Sequence, residues 1–282
     1  MSLTNSYATL TDYKGTQSID TIDALDDILI EQILESASQI INEMTGHTFY
    51  PRIETRYFSV PESWEDADEL DLDDDLLEVI TLTNGDATLV AAGNYNLLPR
   101  NESPRRAIRL KESANIIWRT DSSSNSEYVI AVNGVWGYHD QYAQRAWNLA
   151  TQVNKIGGIT ASETPITVDL GNAIIPGQIF KIDNEFMICK TITSTSVTPI
   201  KRGDNGSTAA IHTDDALIYT WAPISSVRMA CLEIAKSVYG RRFGVNTTGI
   251  ATITAMGVVI TPEEIPATAW RLIGRYKRDL VP

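Results

Sequence analysis

The side chains of this 282-residue chain that could do chemistry are few and scattered. Three histidines, His47, His139 and His212, stand far apart. None falls in a His-Glu-x-x-His or Cys/His ligand spacing, so each reads as a surface or turn residue. Cys189 and Cys231 are too few for a disulfide framework or a four-thiolate zinc site, and read as buried small hydrophobes. There is no Gly-x-Gly-x-x-Gly, no Walker loop and no Gly-x-Ser-x-Gly elbow, so nothing nominates a nucleophile, a base or a cofactor. The one metal-like pattern is Asp71, Asp73 and Asp75, which repeat the alternating oxygen donors that open a calcium loop. Position six should then be Gly for the sharp turn and is Leu76, and position twelve should be a bidentate Glu and is Leu82. A solvated acidic loop without metal is the expectation.

That loop is part of a longer run. Pro61 to Glu78 holds ten acids and no base, so self-repulsion should keep most of it exposed. Asp66, Asp68, Glu69, Asp71, Asp73, Asp74 and Asp75 are its candidate surface, which in a conduit would repel DNA phosphates. The aromatics Trp136, Tyr138, Tyr142 and Trp147 could stack on a sugar or a base, although packing is the commoner use of such clusters.

The elements that must position these residues follow from periodicity. Leu3, Tyr7 and Leu10 suggest a first helix ending before Gly15. A longer one carries Ile30, Ile33, Leu34, Ala37, Ile40, Ile41 and Met44 on one face, with Asp23, Asp26 and Asp27 at its positive end and Gly46 closing it. From about residue 49 the pattern alternates, as in Ile53, Thr55, Tyr57 and in Val79 to Thr83 before the Asn84-Gly85 turn. The block is expected to end in a hairpin with Asn133-Gly134 at its tip. A short helix is expected near Gln144 to Val153. Five short extended runs around residues 166–168, 180–182, 186–188, 197–198 and 217–219 then predict a second strand cluster, large enough for a small barrel or sandwich. Helical spacing returns with Val227, Ala230, Cys231, Ile234 and Val238. Ala251 to Ile260 reads as a hairpin or arm. Thr261-Pro262-Glu263-Glu264 reads as a capping box opening a last helix with the stripe Ala269, Leu272, Ile273, Tyr276 and Leu280.

The expected fold class is α+β, divided into residues 1–48, 49–138, 139–222 and 223–282. The first and last segments each leave an apolar face, so they should pack together as one helical bundle, from which an antiparallel β block and an inserted small β domain project. No apolar run approaches the length of a membrane span, and the first residues lack the basic start and apolar stretch of a secretory signal, so a protein made in the cytosol is expected. With 36 acids against 23 bases the net charge is −13, which disfavours phosphate neutralisation as the main task. The charge is polarised, at −17 over residues 1–90, zero over 91–222 and +4 over 223–282.

Several segments resemble one family. Tyr7-Ala8-Thr9-Leu10-Thr11-Asp12-Tyr13-Lys14, Ile33 to Ile41, Thr45-Gly46-His47-Thr48-Phe49, Val135-Trp136-Gly137-Tyr138 and the helix from Pro223 to Arg242 look like the head-to-tail connector (adaptor) proteins of tailed bacteriophages. Gly177 to Phe186 with Lys201-Arg202-Gly203-Asp204-Asn205-Gly206 through His212 is similar to a small strand module of phage structural proteins. The resemblance implies a non-enzymatic virion protein of the neck, without cofactor. It would form a homo-oligomeric ring, usually a dodecamer, between the portal protein and the stopper or tail-terminator, with DNA passing through and no membrane. It also implies that the arm from Gly244 and the helix bearing Trp270, Arg271, Arg275, Tyr276, Arg278 and Leu280 grip the portal. A virion-associated carbohydrate- or receptor-binding module built on the inserted strands is the alternative, and an unrecognised hydrolase a third.

Overall fold

The computed structural model describes residues 5–19, 24–62, 67–242, 250–254, 257–261 and 265–278. Among them it is a mixed α+β fold with five α-helices, two larger antiparallel sheets and a two-stranded ribbon. No helix of the described residues is long and apolar enough to cross a membrane. The chain forms two compact units. The first comprises Met1–Phe49, Asn148–Asp204 and Thr208–Pro282, and the second Tyr50–Trp147 with Asn205–Ser207.

In the first unit, α1 (Leu10–Gln17) opens on a capping box in which Thr9 accepts from the Asp12 amide and Asp12 accepts from the Thr9 amide. That box sets the start at Leu10, after Tyr7, and the helix runs through Gly15 to a left-handed Ser18, beyond the expected end; Leu3 lies outside the described residues. α2 (Asp27–Thr45) buries Ile30, Ile33, Leu34, Ala37 and Ile41 of the expected face together with Ser38 and Thr45, whereas Ile40 and Met44 are only partly buried, and Gly46 closes it at φ 72°. α4 (Ser225–Arg242), which follows a one-turn α3 (Tyr142–Arg145), buries Val227, Ala230, Cys231, Ile234 and Ala235. α4 packs against α2 and also against α5 (Ala267–Ile273). Each fully buried Leu, Ile or Val here contributes about 1.5–3 kcal/mol. α5 starts after Pro266, later than expected. It ends in a 3-10 turn over Gly274–Tyr276, so the stripe does not continue helically to Leu280, which lies outside the described residues, as do residues 262–264 of the expected capping box.

The same unit holds six strands, β6 (Trp147–Gln152), β7 (Ile166–Thr167), β8 (Ile179–Ile182), β9 (Glu185–Ile192), β10 (Ser196–Pro199) and β11 (Leu217–Trp221), in the order β6-β11-β8-β9-β10-β7. β6 replaces most of the expected Gln144–Val153 helix. Its end meets the end of β7, with Val153 bridging Val168 and the Asn154 amide donating to the Thr167 carbonyl at 3.0 Å. This bridge brings the two ends of the sheet together, curling it into a small barrel around Val153, Ile166, Val168, Phe180, Ile182, Met187, Cys189, Val197 and Ile218. All five extended runs expected in this region are strands. Farther along, β12 (Ile250–Thr254) and β13 (Gly257–Thr261) pair as the ribbon expected over residues 251–260.

The second unit is a five-stranded sheet of β1 (Arg52–Phe58), β2 (Glu69–Thr83), β3 (Tyr95–Leu98), β4 (Arg105–Leu110) and β5 (Ile130–Trp136), in the order β1-β5-β2-β4-β3. Two expectations are corrected. The Asn133-Gly134 pair is not a hairpin tip but lies inside β5. A Cβ on Gly134 would stand 2.5 Å from the Glu78 carbonyl oxygen, so the residue is small because β2 passes close by. The acidic run is not a loop either. From Glu69 it is the 15-residue β2, in the interior of the sheet, because Leu70, Leu76 and Leu82 supply an apolar face that packs with Ile108, Val132 and Trp136.

Candidate interaction site

Two sequence-predicted surfaces can be placed. The acidic one lies on β2, where a register shift leaves the four residues between Asp71 and Leu76 facing a single β4 position, between Ala107 and Arg105. The bulge carries Asp73, Asp74 and Asp75. Asp73 and Asp74 accept from Arg56 at 2.8 Å each, Asp74 also pairs with Arg52 at 2.5 Å, and Glu54 joins the same network. The three carboxylates hold the Arg56 guanidinium above its ordinary pKa, against the opposing effect of burial. Arg56 also lies over the Trp136 ring, 4.9 Å from its centre. On the β4 side Glu69 and Asp68 pair with Arg109, and Asp75 is fully buried, within 4.0 Å of Arg106. Asp71 is exposed and Asp66 lies outside the described residues. The expectation of a self-repelling exposed run fails because arginines of β1 and β4 neutralise much of it. Among the described residues no His, Cys, Asp and Glu cluster suits a metal ion.

The aromatics divide in the same way. Trp136 is buried, stacked on Phe58 at 6.3 Å, with its indole N–H donating to the Glu54 carbonyl at 2.9 Å, so it serves the core. Tyr142 donates to Glu78 at 3.1 Å, and burial and that carboxylate together push its phenol well above the usual range.

The carboxy-terminal surface is built on a three-way junction in the first unit. The Tyr7 hydroxyl accepts from the Phe49 amide at 2.8 Å and donates to Asn42. The Tyr7 ring meets Phe49 edge-on at 5.7 Å, and Phe49 in turn meets Tyr276 at 5.7 Å. Cys231 of α4 lies 3.5 Å from Ser38 Oγ of α2, the Tyr239 hydroxyl donates to Asp26 at 2.8 Å, and the Arg278 amide donates to the Thr45 carbonyl at 2.8 Å. Tyr276 is therefore an anchor inside this junction rather than an outward-facing grip residue. Its place on the Ala269-Ile273-Tyr276 stripe already carried that signal. Trp270, at 44% exposure, Arg271 and Arg275 do face outward, and Arg278 is half-buried. Arg275 is held by its own neighbour, its guanidinium 4.6 Å above the Tyr276 ring.

All three histidines are buried, contrary to expectation. His139 Nδ1 accepts from the Gln141 amide at 3.1 Å, and His47 packs edge-on to Phe49 at 6.1 Å. His212 sits between the carboxylates of Asp183 and Glu185, at 2.8 Å from each. The cluster of Glu185, Arg202 and His212 escaped sequence reading because its members are far apart along the chain and follow no ligand spacing. Both cysteines are buried free thiols, as expected, with burial pushing Cys231 up to about 11 and Cys189 to about 12. A cleft between Ser6–Thr9, Ile179, Trp221 and Arg228 offers about 60 Å³, far below the size of a small-molecule site.

Comparison with protein-family models, with curated proteins and with solved structures finds no match for this chain.

Proposed function

We propose that this protein is a structural subunit of a tailed-phage neck, a head-to-tail connector that assembles as a ring between portal and stopper or tail-terminator and leaves a conduit for the genome. The observation that carries the reading is the meeting of the amino- and carboxy-terminal segments at the Tyr7-Phe49-Tyr276 junction and along α2, α4 and α5. These helices would form the bundle that serves as ring body. Trp270, Arg271 and Arg275, outward on a segment with bases and no acid between residues 267 and 278, would meet the portal, since exposed Trp and Arg are the side chains that most often anchor protein interfaces. A heterologous, head-to-tail contact that closes by rotation gives the ring, with no active site required.

The test is electron microscopy of the purified protein, alone and mixed with a portal ring, together with a pull-down of the full chain carrying Trp270→Ala, Arg271→Ala and Arg275→Ala, which leave the buried Ala269, Ile273 and Tyr276 in place. A closed ring on the portal and loss of binding in the triple variant are expected. Undiminished portal binding by that variant would remove the assignment of this surface, and no assembly even on the portal would remove the reading itself. A glycan-binding barrel is the second reading. It draws on the open cleft of about 500 Å³ at Lys181, Asp183, Asn184, Leu217 and Tyr219, where a ring and polar groups converge; a silent glycan array would dismiss it.

A further inference from the structure

We propose that Glu185, Arg202 and His212 form a protonation-dependent clasp that ties both ends of the 203–211 loop to the barrel, tight while His212 carries its second proton and loosened when it loses it. This does not depend on the reading of the chain as a connector.

The geometry is closed on itself. Glu185, 1% exposed and the first residue of β9, accepts through Oε1 from Arg202 Nε at 2.7 Å and the Gly203 amide at 2.9 Å. Through Oε2 it accepts from Arg202 Nη2 at 2.9 Å, the Ala210 amide at 3.0 Å and His212 Nε2 at 2.8 Å. Arg202 directs its remaining N–H groups to the carbonyls of Thr160, Glu163 and Ala210, so the five donors of its guanidinium are all used. One carboxylate thus holds the residues that enter the loop, Arg202 and Gly203, and those that leave it, Ala210 and His212.

The protonation state follows from valence. A neutral imidazole has one donor and one acceptor nitrogen, yet both ring nitrogens of His212 face carboxylate oxygens, Nδ1 toward Asp183 and Nε2 toward Glu185. Glu185 is held down at about 2, the hydrogen bonds from Arg202, His212 and the Ala210 amide outweighing the cost of its burial, so it has no proton to share. The ring must then carry both protons, and its pKa is raised because the same two carboxylates outweigh its burial. Of the charged groups around it, Asp183 and Glu185 are balanced by Arg202 and the imidazolium. Lys155 and Glu163 pair with each other at 2.6 Å, Asp214 accepts from the Lys155 amide, and Lys181 shares the open cleft with Asp183. Losing the imidazolium proton leaves one carboxylate in excess and turns one ring nitrogen's lone pair toward an oxygen. A raised histidine pKa contributes stability that is complete below the free-imidazole value, about 6.5, and is lost as pH climbs through the folded value. The clasp therefore loosens on the alkaline side.

Hydrogen exchange on the full chain at pH 5.5, 7 and 9, expressed as protection relative to intrinsic rates, tests this together with an NMR titration of the His212 ring. Protection at Gly203, Ala210 and His212 should fall with pH, by about tenfold for each unit by which the ring's pKa exceeds that of free imidazole, while the paired amides of β8 and β9 stay protected. His212→Gln should make the loop's protection independent of pH. Constant protection in the wild type, or the same fall in H212Q, overturns the proposal. If H212Q does not fold, the wild-type titration decides, because a ring pKa at or below about 6.5 overturns it as well.

Discussion

Replacing Ser38 by alanine probes the place where the terminal segments meet. Ser38 is buried in α2. Its hydroxyl donates to the Leu34 carbonyl at 2.8 Å, accepts from the Tyr7 amide at 3.0 Å and touches Cys231 Sγ at 3.5 Å. Ser38→Ala removes only one oxygen, so the cavity is negligible, but it leaves the Tyr7 N–H inside a 1%-exposed residue without that acceptor. An orphaned buried donor costs about 1–3 kcal/mol. For a domain of this size that corresponds to a melting temperature lower by roughly 2–12 °C. Cys231→Ala trims the other side, and because the two atoms touch, the double variant should depart from additivity by about 0.5 kcal/mol or more. Urea unfolding followed by far-ultraviolet circular dichroism, which reports mainly the helices, measures all three. S38A within about 0.5 kcal/mol of wild type, combined with strict additivity, would mean that the Tyr7 segment, α2 and α4 do not pack in solution as they do here. The proposed ring body would fall with them.

Two glycines should respond in opposite senses in thermal melts. Gly15 lies inside α1, and a methyl added there would meet nothing within 4 Å, so Gly15→Ala should stabilise by about 0.5–1 kcal/mol. Gly134→Ala places a Cβ 2.5 Å from the Glu78 carbonyl and 2.7 Å from Leu76 and should destabilise by about 1–3 kcal/mol. Asn84→Ala should cost roughly 2–4 kcal/mol in chemical unfolding, since this buried side chain donates to the Ile117 carbonyl and accepts from the Gly85 and Arg119 amides. Glu185, lowered to about 2, contributes stability that is complete above the ordinary glutamate value and is lost as pH falls toward 2. Acid titration of the wild type should therefore be steeper between about pH 4.5 and 2 than that of Glu185→Gln.

Much of this architecture is legible along the chain because its periodicities are local. The α2 stripe, the Gly46 stop and the α4 face needed only 3.6-residue spacing, and the barrel strands only short β-branched runs between turn residues. The errors arise where a distant partner changes the meaning of a local signal. Asn133-Gly134 has the composition of a hairpin tip, and only the approach of β2 shows why the glycine is there. Trp147 to Gln152 lacks helical stops but pairs with β11. His212 acquires its role from Asp183 and Glu185, which a spacing rule cannot see.

The acidic run is the clearest case, and its resolution bears on function. A strand of Asp and Leu in alternation is a poor sheet former by propensity, since Asp is depleted in strands, yet β2 lies between β5 and β4. What offsets the cost is opposite charge on the strands around it, with Arg52 and Arg56 on one side and Arg106 and Arg109 on the other. A one-residue slip would carry Leu70, Leu76 and Leu82 to the solvent face and separate the carboxylates from those arginines, so both terms penalise the same error. Charge here specifies register before it repels anything. If the chain is the connector proposed above, keeping DNA phosphates from adhering would fall to carboxylates that point outward, such as Asp71, because the charges of Asp74 and Asp75 at the bulge are taken up by arginines of the sheet itself.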